Sequence, residues 1–95
     1  MLESRIEKKI VKALLEEGFH SVKVGEGGWP DRFVIIGSGF HLWLEVKQPG
    51  GKLTKAQARR IPWMKDLGES VFVVESVEEA LRLTVAFANR HRTLL

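Results

Sequence analysis

Acidic and basic side chains alternate with apolar ones between residues 40 and 47, at a spacing suited to hydrolytic chemistry. Because side chains of a strand point alternately to opposite faces, Glu45 and Lys47 would lie side by side on one face. An isolated acid and base at this spacing is usually a solvated charge pair that contributes about 0–1 kcal/mol. A second carboxylate, Asp31, precedes this segment and changes the interpretation.

The glycine-rich turn Gly37-Ser38-Gly39 predicts that the two strands around it form a hairpin. Asp31 then falls opposite Glu45, and two adjacent carboxylates repel each other unless a cation lies between them. Mg²⁺ is commonly held by one or two carboxylates together with waters and substrate phosphate. The pair therefore predicts a metal site, with Lys47 close enough to hold a water or a phosphate oxygen. A surface hairpin with unrelated acids is the alternative.

The order of these residues resembles that of a known nuclease superfamily. Pro30-Asp31 followed by Glu45-Val46-Lys47 resembles the PD-(D/E)xK nucleases. A longer set of residues is similar to the virus-type replication-repair nuclease (VRR-NUC) family: Gly28-Trp29-Pro30-Asp31-Arg32, Leu44-Glu45-Val46-Lys47-Gln48-Pro49-Gly50-Gly51, Leu53-Thr54 and Gln57. The resemblance covers nearly the whole chain.

This resemblance implies a divalent-metal-dependent DNA endonuclease that uses Mg²⁺ or Mn²⁺. Branched or Holliday-junction-like DNA is the expected substrate, in replication, repair or recombination. Asp31 and Glu45 would bind the metal, helped by the backbone carbonyl of Val46. Lys47 would orient or activate the attacking water, and Gln57 would lie at the rim of the active site.

Gln57 has a second explanation within the sequence itself. The run Thr54-Lys55-Ala56-Gln57 predicts a capping box, in which a glutamine at the fourth position bonds back to the start of the helix. The catalytic role and the capping role are compatible, and both stay open.

The first helix is expected to add one more carboxylate to the site. Apolar residues at helical spacing define its buried arc, with Glu7 at the edge of that arc and Glu3 inside it. An acid in such a place is paired, at a frayed helix end, or directed at the site. The spacing from Glu7 to Gly18 resembles archaeal Holliday-junction resolvases, whereas Glu3-Ser4 resembles the start of the VRR-NUC pattern. Glu7 is the preferred catalytic and metal-binding residue, with Glu3 as the alternative.

The rest of the pattern predicts the elements that position these side chains. Helices are expected over 3–17, from 54 to an end at 68, and from 76 to about 88; strands are expected over 19–24, 33–36, 40–47 and 71–74. Pro62 should kink or split the second helix. The order α-β-β-β-α-β-α predicts an α/β fold with a mixed sheet flanked by helices and a last strand parallel to its neighbour. The resemblance implies the restriction-endonuclease-like PD-(D/E)xK fold.

Length and composition restrict the possible functions. The 95 residues predict a single domain over 1–95, and the resemblance implies that this domain is VRR-NUC-like. Without cysteine, thiolate zinc sites and cysteine nucleophiles are excluded. No apolar run approaches the roughly 20 residues of a membrane span. The expected location is the cytoplasm of a bacterium or of a phage-infected host cell.

DNA and a second copy of the chain are the expected partners. The last predicted helix carries more apolar positions than one sheet contact needs, and Leu94-Leu95 adds an apolar end. Both features favour a homodimer, which is a common way for a small domain to bury more surface. The alternative is a helix buried on two sides within its own domain.

Other candidate residues and other functions receive less support. Trp29 lies in a glycine-rich loop and is a candidate nucleic-acid contact, whereas Trp43 is expected to pack under a helix. His20, His41 and His91 are not spaced as a ligand set, although His41 could reach the site from the face of Glu45. A non-catalytic nucleic-acid-binding domain on the same scaffold is the main rival function, and a purely structural module is the second.

Overall fold

The computed structural model describes residues 2 to 92. Helices and strands follow one another in the predicted order: α1 (Glu3–Glu16), β1 (His20–Lys23), β2 (Arg32–Gly37), β3 (Phe40–Val46), α2 (Lys55–Asp66), β4 (Val71–Val74) and α3 (Val77–Arg92). The last helix is longer than predicted, and the other boundaries agree closely. No helix in the described range is both long and apolar enough to cross a membrane.

The strands form one mixed sheet in the order β1-β2-β3-β4. The first three are antiparallel, and β4 pairs in parallel with β3 after the crossover through α2. Arg32 lies opposite Leu44, so Asp31, the residue before β2, comes next to the end of β3 that carries Glu45. All three residues of the turn 37–39 have positive φ, which favours glycine. The predicted α/β fold, strand order and parallel last strand are confirmed.

The helices α1 and α3 cover one face of the sheet, called the inner face below. Its core contains buried apolar side chains from both helices and all but the first strand: Ile6, Ile10, Leu14, Phe19, Val34, Ile36, Leu42, Leu44, Val46, Val74, Ala80, Phe87 and Ala88. Every second residue of β3 contributes, as the two-residue period of a strand requires. The inner face is thus closed by apolar packing.

The additional apolar side chains of α3 are largely packed within the chain itself. Val77, Leu81, Leu83 and Val85 are partly buried and pack against the inner core. A helix buried within its own domain therefore explains most of the feature that favoured a dimer. Leu94 and Leu95 lie outside the described residues, and the homodimer stays a prediction.

The helix α2 covers part of the opposite face, called the outer face below. Ile61 and Met64 of α2 are buried with Val71 of β4, and partly buried Trp29 and Trp43 pack against them. On the part of the outer face formed by β1 and β2, the apolar side chains of Val22 and Ile35 are exposed. The outer face is therefore only partly covered.

A capping box fixes the beginning of α2, as predicted. Thr54 Oγ1 accepts a hydrogen bond from the Gln57 N–H at 3.1 Å, and Gln57 Oε1 accepts one from the Thr54 N–H at 3.0 Å. The helix continues through Pro62 instead of splitting there. Proline supplies no N–H to the carbonyl of Ala58, but Ala58 is exposed and water can satisfy it.

Candidate active site

Asp31, Glu45 and Lys47 meet at one end of the β2–β3 hairpin. Asp31 directly precedes β2, whereas Glu45 lies at the end of β3 and Lys47 directly follows it. Asp31 Oδ2 accepts a hydrogen bond from the Val46 backbone N–H at 2.8 Å, which holds the carboxylate against β3. Lys47 Nζ lies 3.1 Å from Glu45 Oε2. The structure thus brings together the three residues at the centre of the sequence motif.

The Glu45 carboxylate is buried, with only 1% of the residue exposed. Burial raises its pKa above the ordinary value, and the charge of Asp31 raises this pKa further. Lys47 opposes this rise through a hydrogen bond to Glu45 and through its positive charge. A hydrogen bond between Glu45 and the Asp31 backbone also lowers the pKa. Lys47 therefore offsets only part of the cost of holding the charges of Asp31 and Glu45 together, and an additional cation would stabilise the charged form of the two acids.

Gln57 caps α2 and also contacts Glu45, while its catalytic role stays a prediction. Its Oε1 completes the capping box, while its Nε2 donates a hydrogen bond to Glu45 Oε2 at 2.9 Å. One amide therefore links the first turn of α2 to the acid of β3. Glu45 Oε2 also faces Lys47, so this oxygen has two partners, whereas Glu45 Oε1 has no hydrogen-bond partner within the part of the chain that the structure describes.

The structure separates the two candidate glutamates of α1. Glu3 Oε1 lies 3.8 Å from Lys47 Nζ, and its side chain is 44% exposed. Glu7 Oε2 accepts hydrogen bonds from Arg32 Nε at 2.8 Å and from Lys23 Nζ at 3.1 Å. Glu3 thus lies beside the group of Asp31, Glu45 and Lys47, while Glu7 belongs to a separate ion-pair cluster. Metal binding by either glutamate stays a prediction.

The two glycines after β3 shape the loop beside Lys47. Gly50 has φ of 80°, and its N–H donates to Glu75 Oε2 at 2.7 Å. A Cβ on Gly51 would lie 3.0 Å from the Gln48 carbonyl oxygen. A side chain at either position would disturb the turn, because the first needs a left-handed backbone and the second lacks space. The glycine pair of the motif is thus explained by the turn that follows Lys47.

The donor set fits a hard divalent cation. Glu45 Oε1 is buried without a hydrogen-bond partner among the described residues, and the charge of Asp31 acts on the same carboxylate. No group of three or more His, Cys, Asp or Glu residues within 2–92 forms a ligand cluster. A cation bound by these two carboxylates would therefore need water or phosphate as further ligands, which is the usual situation for Mg²⁺. The choice of Mg²⁺ or Mn²⁺ and the role of the Val46 carbonyl stay predictions.

A second polar group on the outer face was missed by sequence reasoning. Glu69 Oε1 accepts a hydrogen bond from Trp43 Nε1 at 2.6 Å and lies 2.9 Å from His41 Nε2. These hydrogen bonds, with Trp43 the larger cause, lower the pKa of Glu69. His41 also packs against Phe33, with 4.8 Å between ring centroids. This histidine is thus engaged away from Glu45, and only the β3–β4 register could have revealed its partner.

The other two histidines lie apart from the acids. His20 is exposed at the start of β1. His91 stacks on Phe87 at 4.0 Å between centroids, and its Nδ1 lies 2.8 Å from the Phe87 carbonyl oxygen. Within the described residues, the surroundings of these two histidines do not resemble a metal site.

Comparison with known proteins gives two informative matches. No family model matches the chain. The protein "Putative nuclease p44" of Acyrthosiphon pisum secondary endosymbiont phage 1 is 35% identical over 77 residues, covering 78% of this chain and 83% of that protein. A solved structure described as a VRR_NUC domain has 29% identity and a TM-score of 0.76, covering 85% of this chain and 91% of that one. The family indicated by the motif is confirmed: the chain belongs to the virus-type replication-repair nuclease family.

Proposed function

We propose that this nuclease is a divalent-metal-dependent DNA endonuclease that hydrolyses phosphodiester bonds in branched DNA. The observation that carries the proposal is the state of the Glu45 carboxylate. One of its oxygens is held by Lys47 and Gln57, and the other is buried without a hydrogen-bond partner among residues 2–92, while the charge of Asp31 acts on the same carboxylate. A purely structural acid would not be expected to leave a buried oxygen unbonded next to another acid.

Each residue of the site has a distinct task in this proposal. Asp31 and Glu45 would hold Mg²⁺ or Mn²⁺, and such an ion would supply a more acidic water and neutralise charge on the phosphate. Asp31 is oriented by the Val46 N–H and Glu45 by Gln57. Lys47 lies where its ammonium group can donate to a water or to a phosphate oxygen, and its contact with Glu45 fixes that position.

Glu3 is the better candidate for a third carboxylate at the site. It approaches Lys47, whereas the acid of Glu7 is occupied by Arg32 and Lys23. We therefore expect Glu3 to influence the charge of Lys47 and the entry of the cation. Glu7 would instead tie α1 to the first two strands.

DNA is favoured as the substrate by the charges next to the acids. Lys52, Lys55 and Arg59 are exposed on the segment that leads into and along α2, next to Gln57. Cations placed in this way bind phosphates and release counterions, so binding should weaken as salt is raised. The rival function is DNA binding without catalysis on the same scaffold.

Cleavage of a panel of DNA substrates tests the proposal. Four-way, flapped, single-stranded and linear duplex DNA would be incubated with Mg²⁺, with Mn²⁺ and with EDTA. We expect cleavage with a metal, none with EDTA, and faster cleavage of branched DNA. Binding of DNA without cleavage under all metal conditions would favour the non-catalytic rival, and equal cleavage of linear and branched DNA would contradict the preference.

The homodimer is proposed for the same substrate, because two copies would present two active sites to the two strands of a junction. Its support is the exposed pair Val22 and Ile35 on the outer face, which a second copy could cover. Light scattering at micromolar concentration tests it. A species of about twice 10.8 kDa is expected, and a clean species of 10.8 kDa would rule the dimer out.

A further inference from the structure

An exposed aromatic and cationic surface lies next to the proposed active site. Arg60 and Trp63 of α2 line an open pocket of about 420 Å³ together with Ala56 and Arg59. Trp63 is 50% exposed, which is unusual for so large an apolar side chain, and Arg59 is exposed as well. We call the group of Ala56, Arg59, Arg60 and Trp63 the α2 shelf.

The α2 shelf is held in place by ring contacts. The Arg60 guanidinium lies 4.6 Å from the centroid of the Trp29 ring and 5.9 Å from that of Trp63. Trp29 meets Trp63 edge to face at 6.2 Å and also packs on Trp43 at 5.8 Å. One side of the shelf is therefore packed against Trp29, while Trp63 keeps half of its surface open to solvent.

The position of the shelf is fixed relative to the acids. Gln57 bonds to Glu45, and Arg60 and Trp63 follow it on the same helix by about 0.8 and 1.7 turns, or about 4.5 and 9 Å of rise. Trp29 is two residues from Asp31. The loop that carries Trp29 packs so tightly on α2 that a Cβ on Gly28 would lie only 3.2 Å from Ala56 Cβ. These contacts therefore join the shelf to the acids.

The chemistry of the shelf suits a flat ring attached to a phosphate. Among the described residues, no carboxylate forms an ion pair with Arg59 or Arg60. Indole and guanidinium planes both stack on nucleobases that are not held in a duplex, and free guanidinium groups bind phosphate. A paired base offers only its edge in a groove, so its ring face could not reach Trp63.

We propose that the α2 shelf binds an unpaired nucleobase of the DNA next to the cleaved phosphate, with the base stacked on Trp63 and Arg60 and an adjacent phosphate on Arg59. This inference rests on the proposed function and narrows its substrate class. The nuclease would select DNA with at least one unpaired nucleotide at the cleavage point, such as a flap, a bulge or a junction with an unpaired base at its branch point.

Binding to three DNA probes without metal tests the inference. The probes are a 20-base-pair duplex, the same duplex with one unpaired adenine at its centre, and that bulged duplex with an abasic site in place of the adenine. Fluorescence anisotropy would give each Kd for the wild type, Trp63→Ala and Trp63→Phe. Leu15→Ala is the matched control, because Leu15 is 54% exposed on a different helix.

We expect the wild type to bind the adenine bulge about 10-fold more tightly than either other probe. Trp63→Ala should lose this 10-fold advantage without changing its Kd for the duplex or the abasic probe. Trp63→Phe should retain most of the advantage and Leu15→Ala all of it. Equal weakening on all three probes, or an abasic probe bound as tightly as the adenine bulge, would overturn the inference.

Cleavage of the same bulged probe with Mg²⁺ separates this inference from the proposed function. If the wild type shows the Trp63-dependent binding but cuts no DNA, the shelf stands and the nuclease mechanism fails. If the wild type cuts and Trp63→Ala keeps the binding advantage, the mechanism stands and the shelf is overturned. Unfolding curves of the variants confirm that each is folded at the assay temperature.

Discussion

The two faces of the sheet are built from the same strands but are used differently. On the inner face, β3 contributes Leu42, Leu44 and Val46, which are closed off by α1 and α3. On the outer face, the alternate residues Trp43 and Glu45 meet an incomplete layer that α2 provides. One strand thus combines a core that stabilises the fold with an outer edge that carries the proposed active-site acid. Adjacent residues of β3 should therefore respond to substitution in opposite ways.

The largest expected effect is the loss of cleavage on the outer face. Glu45→Gln and Lys47→Ala should each lower the rate of DNA cleavage about 10³-fold or more, because they remove a proposed metal ligand and a phosphate-stabilising cation. Glu45→Gln should leave the metal-free protein at least as stable, since a neutral amide avoids a buried charge beside Asp31. Rates per folded molecule and unfolding curves check both points. Cleavage close to the wild-type rate by either variant would contradict the site assignment.

The neighbouring residue on the inner face should show the reverse behaviour. Leu44→Ala would leave a cavity in the core and lower the free energy of unfolding by about 2–5 kcal/mol. The cleavage rate per folded molecule, measured well below the melting temperature, should stay close to that of the wild type. Urea unfolding gives the first quantity. A stable Leu44→Ala variant with reduced cleavage would show that the two faces are not separable in this way.

The two glutamates of α1 allow a finer comparison. Glu3→Gln should lower cleavage about 10-fold by removing a charge beside Lys47, while the stability stays nearly unchanged because Glu3 is half-exposed. Glu7→Gln should instead cost about 1 kcal/mol of stability, since it weakens a largely buried pair with Arg32. Cleavage rates and urea unfolding of both variants check this. Loss of cleavage in Glu7→Gln alone would restore the sequence-based preference for Glu7.

The sequence predicts the inner face and the central motif well. Period-two alternation identified Leu42, Leu44 and Val46 as one face, and the short turn fixed the register that places Asp31 beside Glu45. The capping box also predicted the first turn of α2. Each of these features depends on residues close together in the sequence, so local rules are sufficient.

Contacts between distant elements were beyond those local rules. The helical period placed both Glu3 and Glu7 near the buried arc, and only the packing of α1 against β1 and β2 shows which acid meets Arg32. The same holds for Glu69, whose partner Trp43 is on a strand that becomes its neighbour through a parallel crossover. Side-chain pairing of this kind depends on the angle between elements, and no sequence spacing specifies that angle.

The smallest expected effect concerns Glu69, the other acid of the outer face. Trp43 and His41 are the groups that bond to it, and they lower its pKa in the folded protein. An acid whose folded pKa is lowered adds stability above its unfolded pKa, and this stability is lost as the pH falls through the folded pKa. Glu69→Gln should therefore cost about 1 kcal/mol at pH 7, and the cost should shrink as the pH falls below about 4.5. Urea unfolding of both proteins between about pH 7 and about pH 3 measures the difference, with the exposed Glu26→Gln as a control that should change little. A cost that stays constant over this range would mean that Glu69 acts through packing, and the outer face would then owe its stability to apolar contacts as the inner face does.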